Sequence, residues 1–265
     1  MNSQPIGIFD SGVGGLTVAK GILEALPKES IVYIGDTARV PYGTRGIEII
    51  TQFATELVQF LLKHNVKILV AACNTISATC LDKLQENSPV PVIGVIKPAV
   101  LEASKTTRNK KVGVIGTRAI VNSKIYEKEI AKLDSEIEVL SQVCPLFVPI
   151  AEEGMGNNGI AKLAASQYLD VFNEINIDTL ILGCTHYPLL REVIQEVVGI
   201  DVTLVDSAHP TARDLKAFLE ENNLLNAVGD VTKQFFVTDA PERVREVADV
   251  FLGCHVVPAL EKVTL

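Results

Sequence analysis

The chain has 265 residues, of which 48% are hydrophobic, so it can bury the core of one large domain or of two domains of about 100–150 residues. Its 24 basic and 32 acidic residues give a net charge of -8, without a Lys/Arg cluster. This composition argues against intrinsic disorder and against nucleic acid or an anionic membrane as a partner.

The N-terminus and the cysteines indicate a protein of the reducing cytoplasm. The first basic residue is Lys20, so the N-terminus lacks the basic region of a secretory signal. We find no apolar run long enough for a transmembrane helix. The cysteines form no CxxC pair, which favours reduced thiols over disulfides or a structural zinc site. The five are Cys73, Cys80, Cys144, Cys184 and Cys254.

Strand-like and helix-like segments alternate along the chain. The predicted strands are Ile6–Phe9, Ile31–Gly35, Ile68–Ala72, Val92–Val95, Lys111–Ile115, Ile137–Leu140, Thr179–Leu182, Val202–Val205 and Gln234–Thr238. The predicted helices begin near Leu16 and cover about Glu48–His64, Ser77–Glu86, Ile160–Glu174, Pro210–Asn222 and Pro241–Leu252. Strands such as IVYIG and KILVAA are apolar on both faces, which is typical of parallel sheets covered by helices on both sides. The chain is therefore predicted to be an α/β protein with doubly wound parallel sheets.

A faint internal repeat predicts two similar α/β domains. A shift of 106 positions (112 minus 6) lays IGIFDS over VGVIGT, and a shift of 111 (184 minus 73) lays Cys73 over Cys184. Generic strand–helix composition is the alternative explanation, which the matching cysteines disfavour. The sequence turns polar and basic near Lys97–Asn109, so we predict a first domain of residues 1–97 plus 208–265 and a second of 98–207. Because ligands bind at the carboxyl ends of parallel strands, both cysteines should face one cleft between the domains.

Each of these two cysteines directly follows a predicted buried strand, in LVAACNT and in LILGCTHYP. At the start of a helix, backbone N–H groups and the helix dipole favour the thiolate, so we expect a pKa below the value of free cysteine, about 8.5. Two facing thiols could form a redox disulfide, bind a metal, or act as base and acid on opposite faces of one carbon. Only the third role needs no further ligand, since His186 is the one histidine close in sequence to either of these two cysteines. Either cysteine alone could also be an inert core residue.

A glycine-rich turn and two loops offer groups that could hold an anionic substrate. FDSGVGGLT places Asp10 and Ser11 at a strand end before a helix, where backbone amides can bind an anion. The turn lacks the Lys-Ser/Thr of a P-loop and the third glycine of the dinucleotide fingerprint, so it fits a carboxylate as well as a phosphate. A tight turn without a ligand is the alternative. Tyr42-Gly43 and Glu152 are assigned to loops lining the same cleft.

FDSGVGGLT, DTARVPYG, ACNT and GCTHYP, in this order, closely resemble the bacterial glutamate racemases of the aspartate/glutamate racemase superfamily, from Pro5 to the final helix. The resemblance implies a cofactor-independent, metal-free isomerase that interconverts L- and D-glutamate for peptidoglycan synthesis, usually as a cytoplasmic homodimer. By position, Cys73 matches the thiol associated with deprotonation of D-glutamate, and Cys184 matches the thiol associated with L-glutamate. The resemblance implies that Asp10, Glu152 and His186 assist the thiols. It implies substrate contacts from Asp10, Ser11, Tyr42, Gly43, Asn74, Thr75, Thr117, Thr185 and His186.

Three other functions stay open at this stage. An aspartate or broader amino-acid racemase would share most of these motifs, although Thr185-His186 after the second cysteine favours glutamate. A nucleotide-dependent or phosphate-binding transferase would use FDSGVGG as its loop and leave the cysteines inert. A non-catalytic regulatory module of the same fold would leave the two matched cysteines unexplained.

Overall fold

Two all-parallel sheets form the frame of the molecule, in a computed structural model that describes residues 3–226, 230–252 and 260–265. The strands are β1 (Ile6–Asp10), β2 (Ile31–Gly35), β3 (Ile68–Ala71), β4 (Val92–Gly94), β5 (Lys111–Gly116), β6 (Glu138–Val143), β7 (Thr179–Gly183), β8 (Thr203–Val205), β9 (Lys233–Val237) and β10 (Leu260–Lys262). The helices are α1 (Leu16–Ala25), α2 (Ile47–Leu62), α3 (Asn74–Thr79), α4 (Leu81–Asn87), α5 (Ile96–Thr106), α6 (Arg118–Ser123), α7 (Ile125–Leu133), α8 (Phe147–Glu152), α9 (Gly159–Ile175), α10 (Arg191–Val198), α11 (Ala208–Glu221) and α12 (Pro241–Leu252). Single 3-10 turns cover Tyr42–Thr44 and Tyr187–Leu190.

The strand order repeats between the two sheets. Sheet A has the order β10-β9-β2-β1-β3-β4, and sheet B has the order β6-β5-β7-β8. Strands β5, β6, β7 and β8 occupy the positions in sheet B that β1, β2, β3 and β4 occupy in sheet A, so β2-β1-β3-β4 and β6-β5-β7-β8 have the same order. Strand β9 pairs with β2, and β10 with β9, so the C-terminal segment extends sheet A. The predicted α/β fold with two pseudo-symmetric parallel sheets is confirmed, and the domain limits at residues 97 and 208 stay a prediction.

Helices cover both faces of sheet A, as its doubly apolar strands require. Ile6 and Ile8 of β1 pack into a core with α1, α11 and α12, whereas Phe9 packs into the core on the α2 side. This division follows from the alternation of side chains along a strand. Within the three described ranges no helix is long and apolar enough to cross a bilayer.

Several helices differ from the prediction. The helix predicted over Ser77–Glu86 is wrong, because the backbone leaves the helical region at Cys80 (φ -143, ψ 9) and separates α3 from α4. Helix α5 occupies the polar stretch that we assigned to a boundary. Its lysines lie on one side, and its buried residues recur at helical spacing on the other. Those buried residues are Ile96, Pro98, Ala99, Val100 and Ala103. Helices α6, α7 and α10 and strand β10 were also missed.

A buried ion pair ties the amino-terminal edge of sheet A to the end of α11. Lys67, just before β3, donates from Nζ to Glu29 Oε2 at 2.6 Å and to the carbonyl of Leu224 at 2.7 Å. The backbone N–H of Asn226 donates to Glu29 Oε1 at 2.7 Å. Both charged side chains are almost fully buried, so each charge depends on the other for its stabilisation.

Candidate active site

A small cavity of about 50 Å³ lies where the carboxyl ends of strands from sheets A and B meet. This is the edge at which parallel α/β sheets bind ligands. Of the residues predicted from the sequence, those lining the cavity are Ser11, Tyr42, Gly43, Cys73, Asn74, Thr75, Thr117, Glu152, Cys184, Thr185 and His186. The lining also includes Gly12, Val40, Pro41 and Val148, which the sequence analysis did not single out. Gly12, Val40 and Pro41 lie inside the quoted motifs, and Val148 lies one helical turn before Glu152, so proximity to a predicted site residue was the available signal.

Cys73 joins β3 to α3 and lies on the sheet A side of the cavity. It is 5% exposed, and its Sγ lies 3.2 Å from the hydroxyl of Ser11. Burial raises the pKa of this thiol to about 12, with a further contribution from the Asp10 carboxylate. The predicted lowering of the pKa is therefore wrong for Cys73, because α3 is only six residues long and desolvation outweighs its dipole. Cys73 is a neutral thiol at neutral pH.

Asp10 ends β1 and lies behind the glycine-rich turn. Its Oδ2 accepts a hydrogen bond from the Gly12 N–H at 2.9 Å, while its buried Oδ1 has no partner among the described residues. Burial raises the pKa of Asp10, although the positive charge of His186 and the backbone N–H of Gly15 oppose the shift. Unlike the other predicted site residues, Asp10 does not line the cavity. It can act on the site through the turn and through its charge.

A thiol, an imidazole and a carboxylate form a chain on the sheet B side. Cys184 follows β7, and its Sγ lies 3.7 Å from His186 Nδ1. The other ring nitrogen, Nε2, lies 2.9 Å from Glu152 Oε1. Burial lowers the pKa of His186, but hydrogen bonds with Cys184 and Glu152 outweigh it and raise the pKa to about 10. The imidazole is therefore protonated at neutral pH and donates to both neighbours.

Glu152 reaches His186 from the end of a helix, so its assignment to a loop is wrong. It is the last residue of α8, whose residues Phe147, Ile150 and Ala151 are buried. The helix is short and contains Pro149. Proline is compatible with the first turn of a helix, where no intrahelical partner needs its missing N–H. The helix end aims the carboxylate at the imidazole.

Hydroxyl groups from both sides approach each other across the cavity. Thr75 Oγ1 of α3 lies 3.4 Å from Oγ1 of Thr117, which precedes α6. Gly43 packs closely on Thr117, since a Cβ at position 43 would lie 3.0 Å from the Thr117 Cβ. The Tyr42 hydroxyl points away and donates to buried Asp36 in a short hydrogen bond. The structure thus brings the sequence motifs together around one cavity. The Tyr42 hydroxyl already has Asp36 as its hydrogen-bond acceptor.

The glycine-rich turn packs against the second cysteine motif. Thr17 Oγ1 lies within hydrogen-bonding distance of the carbonyls of Gly14 and Thr185, at 2.9 and 3.1 Å. A Cβ at Gly14 would lie 2.3 Å from Thr185 Oγ1 and 2.5 Å from His186 Nδ1. Glycine is required here for the close approach of two chain segments. This packing argues against the alternative in which the turn is an open phosphate loop.

The chain is similar in sequence to known racemases over most of its length. Residues 6–215 match the family model described as Asp/Glu/Hydantoin racemase. A curated glutamate racemase of Geobacter metallireducens is 49% identical over 251 residues, which are 94% of this chain and 93% of that protein. The chain belongs to the glutamate racemase family.

Solved glutamate racemases share the whole fold. The Francisella tularensis glutamate racemase, in complex with D-glutamate, matches with a TM-score of 0.93 and 42% identity, over 100% of this chain and 98% of that one. The Escherichia coli glutamate racemase, in complex with L-glutamate and the activator UDP-MurNAc-Ala, matches with a TM-score of 0.80 and 29% identity, over 98% of each chain. The chain is therefore an amino-acid racemase, an isomerase, and the transferase and regulatory-module alternatives lose their support.

Replacing Gly14 with alanine should impair the racemase without unfolding it. The new methyl group must displace Thr185 and His186, and a misplacement of about 1 Å at a catalytic group can cost about 10²-fold in rate. We expect a loss of about that size in kcat/KM for either enantiomer. Gly46→Ala is the matched control, because nothing lies within 4 Å of a Cβ at that position. Equal activity of the two variants would contradict the close-packing role of Gly14.

Proposed function

We propose that the chain interconverts L- and D-glutamate by proton transfer at Cα between Cys73 and Cys184, without an added cofactor. The observation that carries the proposal is that two thiols, each following the equivalent strand of its own sheet, line a single cavity. Inversion at Cα requires a base on one face and an acid on the other, and two such thiols can supply both. Catalysis of this kind contributes about 10²–10⁴-fold.

The thiols exchange protonation states during each turnover. With D-glutamate, the Cys73 thiolate would take the α-proton and the Cys184 thiol would donate its proton to the opposite face. The reverse direction begins with a Cys184 thiolate and a Cys73 thiol. The high pKa of Cys73 supports its starting as the acid when L-glutamate is bound. The His186 imidazolium, 3.7 Å from Cys184 Sγ, would stabilise the Cys184 thiolate, and Glu152 would keep that imidazolium protonated.

Neutral donors would hold the substrate carboxylates. Among the described residues that line the cavity there is no Lys or Arg, and both ring nitrogens of the His186 imidazolium face Cys184 and Glu152. Hydroxyl, amide and backbone N–H groups are therefore left to bind the anions. We assign this role to Ser11, Asn74, Thr75, Thr117 and Thr185. Because Asp36 engages the Tyr42 hydroxyl, we assign the contacts of Tyr42 and Gly43 to their backbone. Asp10 would act indirectly, by fixing the turn that carries Ser11 and by favouring the Cys73 thiol.

A circular dichroism assay without added cofactor tests this function. Solutions of L-glutamate and of D-glutamate should both lose their optical activity in the presence of the protein and converge on the racemic value. L-Aspartate, assayed in parallel at the same concentration, should turn over much more slowly, since the relatives are glutamate racemases by name. Faster turnover of aspartate would assign the chain to the rival substrate, and a requirement for an added cofactor would refute the thiol mechanism.

We further propose that the enzyme is a cytoplasmic homodimer that supplies D-glutamate for peptidoglycan. The proposal rests on the glutamate racemases that resemble this chain over nearly its whole length. We keep the domain division at residues 97 and 208, because α5 begins at Ile96 and α11 at Ala208, beside the two predicted limits. Analytical ultracentrifugation should give twice the mass of a 28.6 kDa chain, and a single-chain mass would refute the dimer.

Rising pH should destabilise the wild type more than a His186→Asn variant. The pKa of His186 is about 10 in the folded protein, against 6.5 for an unperturbed histidine. The stabilisation from this proton is therefore complete below pH 6.5 and is lost as pH rises through about 10. Chemical denaturation at several pH values across that window should show the difference in unfolding free energy between the two proteins shrinking. A constant difference would contradict the assigned protonation of His186.

A further inference from the structure

The side-chain oxygen of Asn74 joins three separate parts of the chain beside the cavity. Asn74 is the first residue of α3, next to Cys73. Its Oδ1 accepts a hydrogen bond from the Tyr126 hydroxyl of α7 at 2.7 Å and another from the Ser207 hydroxyl, just before α11, at 3.3 Å. Tyr126 is 1% exposed and Ser207 3% exposed, so both bonds are shielded from water. The amide oxygen is fully used within the protein.

The amide nitrogen of Asn74 is in the opposite situation. Its Nδ2 is buried and has no hydrogen-bond partner among the described residues. Nearly all buried polar groups in proteins are paired, and an amide nitrogen carries two N–H donors. Because Asn74 also lines the cavity between the two thiols, the missing acceptor is best supplied by a ligand. A carboxylate oxygen is such an acceptor.

The two hydroxyls decide which end of the amide is available to a ligand. A rotated amide would offer its oxygen where the nitrogen now lies, and two oxygens would then repel a carboxylate. Rotation would replace both hydrogen bonds to Oδ1 by bonds from Nδ2 to the hydroxyl oxygens, and would leave Oδ1 facing the cavity without a donor. Burial raises the pKa of Tyr126 above its usual value, so its hydroxyl keeps the proton that it donates. The preferred orientation of the amide is therefore set before any ligand arrives.

We propose that Tyr126 and Ser207 are positioning residues that hold the Asn74 amide with its nitrogen toward a carboxylate of the substrate. The inference rests on the proposed racemisation of glutamate and adds two residues to it. Neither residue belongs to the sequence motifs, and they act through Asn74 without touching the reacting atoms. Tyr126 comes from the helices of sheet B and Asn74 from those of sheet A, so this contact also links the two sides of the site.

Steady-state kinetics of Tyr126→Phe test the inference. Loss of one neutral hydrogen bond should raise KM for both enantiomers by about threefold to tenfold. Because the lost interaction is made equally in the ground state and the transition state, kcat should stay within about twofold. Ser207→Ala should have a smaller effect in the same direction, since its hydrogen bond is longer. The matched control is Tyr168→Phe, whose hydroxyl faces the backbone at Leu146, and it should leave KM unchanged.

A double-mutant cycle separates positioning from general damage to the fold. If Tyr126 acts through Asn74, then Tyr126→Phe should add almost nothing to the KM of Asn74→Ala, because the amide that it orients is gone. Additive effects, or an unchanged KM in Tyr126→Phe, would overturn the inference while an active wild type still supports the proposed function. A wild type without glutamate racemisation would overturn both.

Discussion

Alanine at Cys73 or at Cys184 should lower kcat for racemisation by about 10³-fold in both directions. Each turnover needs one thiol as base and the other as acid, so removal of either stops inversion from both enantiomers. The expected loss lies within the range of about 10²–10⁴-fold that a positioned acid or base contributes. Initial rates with L-glutamate and with D-glutamate, followed by circular dichroism, measure it.

Cys80→Ala is the control for the loss of a buried sulfur. Cys80 is 4% exposed and lies in the break between α3 and α4, where its Sγ faces the carbonyl of Ile76 at 3.5 Å. This variant removes a buried sulfur atom from the half of the protein that carries Cys73 but leaves the cavity lining unchanged, so it should keep nearly full activity. A Cys73→Ala or Cys184→Ala variant as active as Cys80→Ala would refute the two-thiol mechanism.

Lys67→Met should lower the free energy of unfolding by about 3–5 kcal/mol. The substitution fills similar space but leaves Glu29 as a buried charge without its partner, which is the costly way to break a buried ion pair. The carbonyl of Leu224 also loses a donor. Urea denaturation monitored by circular dichroism measures the change, and the active site at the opposite edge of sheet A should keep its kcat.

Two further variants isolate the cause of that loss. In the double variant Lys67→Met, Glu29→Gln, no charge is left buried and the side-chain amide oxygen can still accept from the Asn226 N–H, so stability should partly return. Lys162→Met breaks the exposed ion pair with Glu196 and should cost about 1 kcal/mol or less. If Lys67→Met were no more damaging than Lys162→Met, burial would not be the source of the effect.

Local sequence rules predicted the parts of the fold in which side-chain pattern and backbone agree. The apolar strands predicted the parallel sheets, and the repeat in those strands predicted that Cys73 and Cys184 face one cleft. The same rules failed where packing against the rest of the protein determines the secondary structure of a segment. The stretch that forms α5 was assigned to a boundary because its composition is polar and basic. Its buried residues recur at helical spacing, and the structure shows that they pack against sheet B. Glu152 was assigned to a loop, whereas the structure places it at the end of the short helix α8.

The electrostatics of the site also depend on tertiary structure. A position at a helix N-terminus predicts a lowered cysteine pKa. The pKa of Cys73 is instead raised to about 12, because burial removes the water that would stabilise its thiolate. Tyr126 and Ser207 have no motif of their own, and they come to lie beside Asn74 only when α7 and α11 pack around the cleft. Sequence spacing could not have found residues 52 and 133 positions away along the chain.

The fate of the α-proton in D₂O tests the two-thiol mechanism most directly. Protein incubated with L-glutamate in D₂O, and sampled at low conversion, should yield D-glutamate that carries deuterium at Cα, while the remaining L-glutamate is still largely protiated. This result follows because one thiol removes the proton and a different thiol, equilibrated with solvent, delivers the deuteron. D-Glutamate that retained the original proton would show that a single group moves it from face to face, and that result would contradict the pairing of Cys73 with Cys184.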